Sequence, residues 1–188
     1  MDKIRLIVII AMLLPKLSFA DRWATAEQAI KKIELSDTLG LKASDLRSLH
    51  SLGCSIPQSF EASDKIENIV TGELAHAGQK DIAVLCSAKG YSQIVVLWGG
   101  DIQCPSIIKR SRNSTYLQYI GPNPDDIGYS RLITESSIVR LKKYINQWEQ
   151  EDVLSFPTHS GLEDHFLGKS SSIYYCKSGS WITLAGGD

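Results

Sequence analysis

Near the C-terminus, two imidazoles and two carboxylates crowd together. His159 stands just before the stretch "GLEDHFLGK" at 161–169, which carries Glu163, Asp164 and His165. These side-chain types bind divalent metals or exchange protons with a substrate. Their spacing argues otherwise. His159 and His165 are six positions apart, whereas a helical H-x-x-x-H places both rings on one face. No regular element between them would bring the rings to one point. The expectation is therefore a polar turn leading into a β-strand, with Asp164 accepting hydrogen bonds from the turn's backbone N–H groups.

The stretch "GYSR" at 128–131 offers a second candidate, because Tyr129 and Arg131 follow the polar loop "NPDD". A guanidinium fork suits a carboxylate or phosphate. The simpler expectation pairs Arg131 with Asp125 or Asp126 and lays Tyr129 over the edge of the core. Tyr129, Arg131, His159, Glu163 and Asp164 together make the candidate binding surface.

Other chemistries lack a carrier. There is no G-x-S-x-G, phosphate-binding loop or dinucleotide fingerprint. Cys86 lies inside an apolar run, a poor setting for a reactive thiolate. Asp125–Asp126 and Glu151–Asp152 read as solvated loop and helix-end charges. "NST" at 113–115 fits a glycosylation acceptor and reads as a chance match in an exposed loop. Trp23, Trp98, Trp148 and Trp181 read as core anchors. No catalytic residue, metal ligand or cofactor is assigned.

The elements that must position these groups follow from periodicity. "ATAEQAIKKIEL" predicts a helix capped by Thr25, with Ala26, Ile30 and Ile33 on one face. "ASDLRSLHSLG" predicts a shorter one, with Ser44 as cap, Leu46 and Leu49 inward and Gly53 as stop. From Asn68 the pattern turns to strands. "GQKDIAVLCS" and "SQIVVLW" form a hairpin around Gly90, apolar enough to be covered on both faces. "NIVTGEL", "CPSIIKR" and "STYLQYI" predict further strands, and "GPNPDDIG" a loop. "SSIVRLKKYINQWEQ" returns to helical spacing, and the chain closes with a hairpin of "SSIYYC" and "WITLAGG" around "KSGS". The two hairpins echo one another: "GQKD" at 78–81 precedes the first and "GLED" at 161–164 the second, with Trp98 and Trp181 each ahead of a Gly pair.

The start of the chain reads as an export signal. Lys3 and Arg5 precede an apolar run from Leu6 to Leu14, and "LSFA" offers cleavage after Ala20. That run falls short of the ~20 residues a membrane span needs. The mature chain would carry 17 basic and 20 acidic side chains, once Asp2, Lys3, Arg5 and Lys16 are removed. This balance argues against nucleic acid and anionic membrane surfaces as partners. Cys54, Cys86, Cys104 and Cys176 give an even count without any C-x-x-C, which favours two disulfides in an exported protein. Spacing leaves all three pairings open.

"GCSIPQ" at 53–58, "GQKDIAVLCS" at 78–87, "GYSR", "GLEDHFLGKSS" at 161–171 and the ending "WITLAGGD" occur in the order seen in a family of uncharacterised exported bacterial proteins, which this chain resembles from about Gly53 to Asp188. The resemblance implies a fold and a compartment, and no chemistry. It also implies Cys54–Cys86 as one bridge and Cys104–Cys176 as the other. The "GQKDIAVL" hairpin is further similar to one unit of FG-GAP-type repeats, whose acidic loops often bind Ca²⁺. Here the loops read "AHAGQKD", with Asp81 its only acid, and "HSGLED", with Ser160 where an acid often stands. That departs from the six to eight oxygens calcium takes.

The expectation is a signal peptide at 1–20 and one α+β domain at 21–188. The domain should hold an antiparallel sheet of about six strands, two N-terminal helices and one helix near 135–149. The expected function is a periplasmic or extracellular binding module, of inhibitor or immunity type, that recognises a protein or cell-envelope component. The alternative is a small envelope hydrolase or metal-dependent enzyme using His159, Glu163, Asp164 and His165.

Overall fold

A helix does form around Ala26, but it spans Phe19–Gln28 (α1), so Thr25 lies inside it and does not cap it, and Ile30 and Ile33 fall beyond its end. A computed structural model describes residues 19–187. The expected signal peptide lies outside them apart from its last two positions. Lys32–Ile33 (β1) leaves the helical path, since Ile33 and Leu35 pack with the second helix. Good helix formers such as Lys31, Lys32 and Glu34 yield here to tertiary burial, which overrides propensity. That second helix is Ala43–Ser51 (α2), and it buries Leu46 and Leu49. Its N-cap is Lys42 in place of Ser44. Gly53 follows at φ 65°, with its N–H donated to His50 O at 2.9 Å. This is the left-handed ending that glycine favours. Ile56–Pro57 (β2) pairs with β1.

Ile69–Gly72 (β3), Asp81–Ala88 (β4), Tyr91–Leu97 (β5) and Ile107–Arg112 (β6) form an antiparallel meander in that order. Lys89 and Gly90 both take positive φ between β4 and β5, as a two-residue hairpin with the sheet's natural twist requires. These strands are covered on both faces. Ala83 and Leu85 join the central core, while Val84 and Cys86 join the cluster around α2.

Leu117–Tyr119 (β7) and Ile127–Tyr129 (β8) make a separate two-stranded sheet, onto which α1 packs. Arg131–Ser136 (β9) then opens a second meander. Ile138–Gln147 (α3) follows, capped by the Ser137 hydroxyl. Gly161–Phe166 (β10), Ser170–Lys177 (β11) and Ser180–Ala185 (β12) complete the meander in the order β9-β10-β11-β12. Helix α3 buries Leu141, Tyr144 and Ile145 against Ile173, Tyr175 and Leu184.

The architecture is α+β, but the expected single sheet of about six strands is corrected: among the described residues, twelve strands form four sheets. The chain between β6 and β9 folds into its own small sheet and breaks the ladder. The meanders meet where β3 and β9 lie side by side. There Asn68 bridges them, donating to Arg131 O and accepting from Ile133 N. One core cluster draws Leu85 and Ile94 from the first meander and Ile133, Leu162 and Tyr174 from the second.

Two disulfides join Cys54 to Cys86 and Cys104 to Cys176, the pairing the resemblance implies. The first ties the segment after α2 to β4. The second ties the β5–β6 connection to β11, and so one meander to the other. With sequence separations of 32 and 72, chain-entropy bookkeeping assigns each about 4 kcal/mol. No helix among the described residues is long and apolar enough to cross a membrane.

Candidate functional site

The stretch "GLEDHF" is itself strand β10, which corrects the expected turn. Side chains alternate along a strand, so Glu163 and Asp164 leave on opposite faces. The candidate cluster splits into three places, and all five residues of the expected binding surface are buried.

Asp164 points into the core. Arg131, 0% exposed, grips it with Nε on Oδ1 at 2.8 Å and a terminal nitrogen on Oδ2 at 3.0 Å. The other terminal nitrogen donates to Ser92 O and Ser92 Oγ. The guanidinium also lies 4.6 Å from the Tyr116 ring centroid. Arg131 therefore does not pair with Asp125 or Asp126. Burial opposes its charge, but the hydrogen bond and charge of Asp164 outweigh this and raise its pKa. Tyr129 donates to Ser92 Oγ at 3.2 Å. Burial chiefly pushes its phenol far above the ordinary value. It is a strut beneath the network.

Glu163 points the other way, with Oε2 2.7 Å from Arg140 Nε in an ion pair that lacks hydrogen-bond alignment. Its Oε1 accepts from Ser171 Oγ at 2.6 Å and lies 3.8 Å from His165 Nδ1. Burial lowers the His165 pKa from 6.5 against the pull of Glu163, and Arg140 lowers it further. The second ring nitrogen of His165 faces Thr134 Oγ1 at 2.8 Å.

His159 belongs to neither group. Its ring stacks on Tyr175 at 4.1 Å, and its nitrogens face Ser160 O at 2.8 Å and Cys176 O at 3.0 Å. A carbonyl accepts and a neutral imidazole carries one N–H, so the ring donates to one of these carbonyls and sits between the segment leading into β10 and the end of β11.

Asp81, buried at the head of β4, accounts for the calcium-like loop. One oxygen accepts from Leu74 N and Ala75 N, and the other from Gly99 N and the Gln79 side chain. Its carboxylate thus closes two loops through protein donors, the role the turn reading assigned to Asp164. Among the described residues, no three His, Cys, Asp or Glu side chains gather as metal ligands.

Asp164, backed by the buried Arg131, lines a small cavity of about 170 Å³ together with Lys109, Ser111, Thr115, Tyr116, Phe166 and Ser170–Ser172. Lys109 Nζ stands 4.0 Å from Asp164 Oδ2. It arrives there through a β-bulge: Ser92 faces Ser111 and Ile94 faces Ile108, so Lys109 and Arg110 together oppose Gln93. Lys109 has φ 34°, and a non-glycine residue in the left-handed region costs on the order of 1–3 kcal/mol. Burial disfavours its ammonium, but Tyr116, Tyr174 and Asp164 together raise its pKa, so the site keeps its cation. A larger cavity of about 490 Å³ lies between α2 and β5–β6, lined by Leu52, Trp98, Ile102 and Ile107, with Asp45 its one ionisable side chain. The smaller cavity holds the richer chemistry.

Lys109, Tyr116 and Ser92 were not expected from sequence. Their meeting depends on the bulge and on the contact between meanders, and no local pattern reports either. No protein-family model matches the chain, and comparison with curated proteins and with solved structures returns no match.

Proposed function

We propose that this protein is an exported, non-enzymatic binding module that recognises a protein or cell-envelope component. The observation that supports this reading is the fate of the two candidate acids. Asp164 meets Arg131 at 2.8 Å and Glu163 meets Arg140 at 2.7 Å. A buried carboxylate turned onto a guanidinium is not presented to a substrate proton. His159, buried with its ring nitrogens against two backbone carbonyls, is likewise engaged. Two disulfides and tied loops make a stiff scaffold, and rigid scaffolds are where recognition loops sit.

The competing hydrolase reading keeps Glu163 and His165 together, with Ser171 also on Glu163, and loses His159 and Asp164. Both readings face one experiment. The purified mature protein is offered ester, peptide, phosphate-ester and glycoside substrates, and in parallel is cosedimented with isolated cell-envelope fractions. The expected result is saturable cosedimentation without turnover. Turnover that Glu163→Gln or His165→Ala abolishes would overturn the binding module.

A further inference from the structure

We propose that the cavity above the Arg131–Asp164 pair binds the carboxylate of a sugar acid, either free or terminating a glycan, an assignment that rests on the binding-module reading. The charge at the cavity comes first. Arg131 and Lys109 bring two positive charges against the one negative charge of Asp164. Arg131 takes both oxygens of Asp164, while Lys109 Nζ stays 4.0 Å away with its side chain 43% exposed. With Arg131 taking up both oxygens of Asp164, Lys109, beside Tyr116 and 4.0 Å from Asp164, is therefore the cation that borders the cavity. A monoanion balances it, whereas a dianion such as a phosphate monoester would leave an excess negative charge beside Asp164.

The lining sets the rest of the ligand. Asp164 lies opposite Ser172 across β10–β11, and Phe166 opposite Ser170, so both serines project on the Asp164 face. Ser111 and Thr115 border the cavity on its other side. Each hydroxyl donates and accepts, which fits a polyol better than an aliphatic acid. At about 170 Å³, the space lies below the ~300–1,000 Å³ of drug-sized pockets and suits a single sugar-sized residue.

The bulge is an independent observation. A bulge position of positive φ is one that glycine ordinarily fills, yet this chain carries lysine at 109, and its ammonium borders the cavity. A scaffold needing only the bend would be served better by glycine.

Titration calorimetry with D-glucuronate, D-galacturonate and N-acetylneuraminate tests the assignment, with D-glucose and inorganic phosphate as comparators. At least one sugar acid should bind saturably and D-glucose should not. Lys109→Gly suits the backbone and should fold at least as stably, yet weaken that binding by about tenfold or more. Arg110→Met, on the arginine that lies over Tyr91, should leave it unchanged. The assignment is overturned if no sugar acid binds up to about 10 mM, if D-glucose or phosphate binds as well, or if Lys109→Gly has no effect. Cosedimentation with envelope fractions that survives such a result would keep the binding module and discard this site.

Discussion

The two meanders run through the same order of strands and bury charge in different ways. In the first, Asp81 sits at the head of β4 and is neutralised by N–H donors, three of them from the backbone. In the second, Glu163 and Asp164 sit inside β10 and are each met by an arginine from another element. A carboxylate held by backbone N–H groups closes the loops around it. A carboxylate held by arginine joins distant parts of the chain, and Asp164 thereby connects both meanders through Arg131 and Ser92. The echo between "GQKD" and "GLED" is therefore one of composition. The acids of the second copy lie two and three positions further into their strand, where side-chain alternation sends one to each face. Trp98 and Trp181 likewise do not occupy matching strands; they stack on each other at 5.9 Å.

The contrast can be broken at its strongest point first. Arg131→Met leaves Asp164 buried without its partner and should cost about 3–5 kcal/mol, read by urea denaturation. Adding Asp164→Leu should recover much of that loss; failure to recover would mean the pair does more than neutralise itself. Asp81→Ala should cost on the order of 3 kcal/mol, since it strands buried N–H donors in both loops. Hydrogen exchange should then quicken at Leu74, Ala75 and Gly99 while β9–β12 stay protected. His159→Leu removes the ring's hydrogen bond to a buried carbonyl and its stacking on Tyr175, and should cost about 1–2 kcal/mol. The order follows because an unmet carbonyl is tolerated better than an unmet N–H.

The smallest effect is one of pH. The His165 pKa is lowered in the folded state, so unfolding takes up a proton. Above about 6.5 the ring is neutral in both states and its contribution is complete. As the pH falls below that value the unfolded chain is favoured, until the lowered folded pKa is passed. His165→Gln should flatten this part of the stability profile relative to wild type, and an unchanged slope would assign it to other groups.

Much of the scaffold was legible locally. The hairpin around Gly90, the helix over 138–147 and the end of α2 at Gly53 each depend on neighbours within a few residues. The division into four sheets was not legible, because apolar runs report burial without naming the partner strand. The site was misread for a related reason. A strand of "GLEDHF" carries three ionisable residues in a row, a composition typical of turns. Only the arginines at 131 and 140, far away in sequence, make it tolerable inside a sheet. Arg131 stood out in the sequence, but its partner lies 33 residues onward, beyond any periodic signal.

The disulfides carry one more consequence, about arrival. Cys54 bonds to the next cysteine in the chain, and Cys104 to the one after it. Export of the kind proposed above would deliver the polypeptide amino end first, with these thiols emerging in the order in which they mate. An oxidant that couples each newcomer to the one still waiting would make both bonds correctly at the first attempt. The bond between meanders would form last, locking the second half onto a first half already closed.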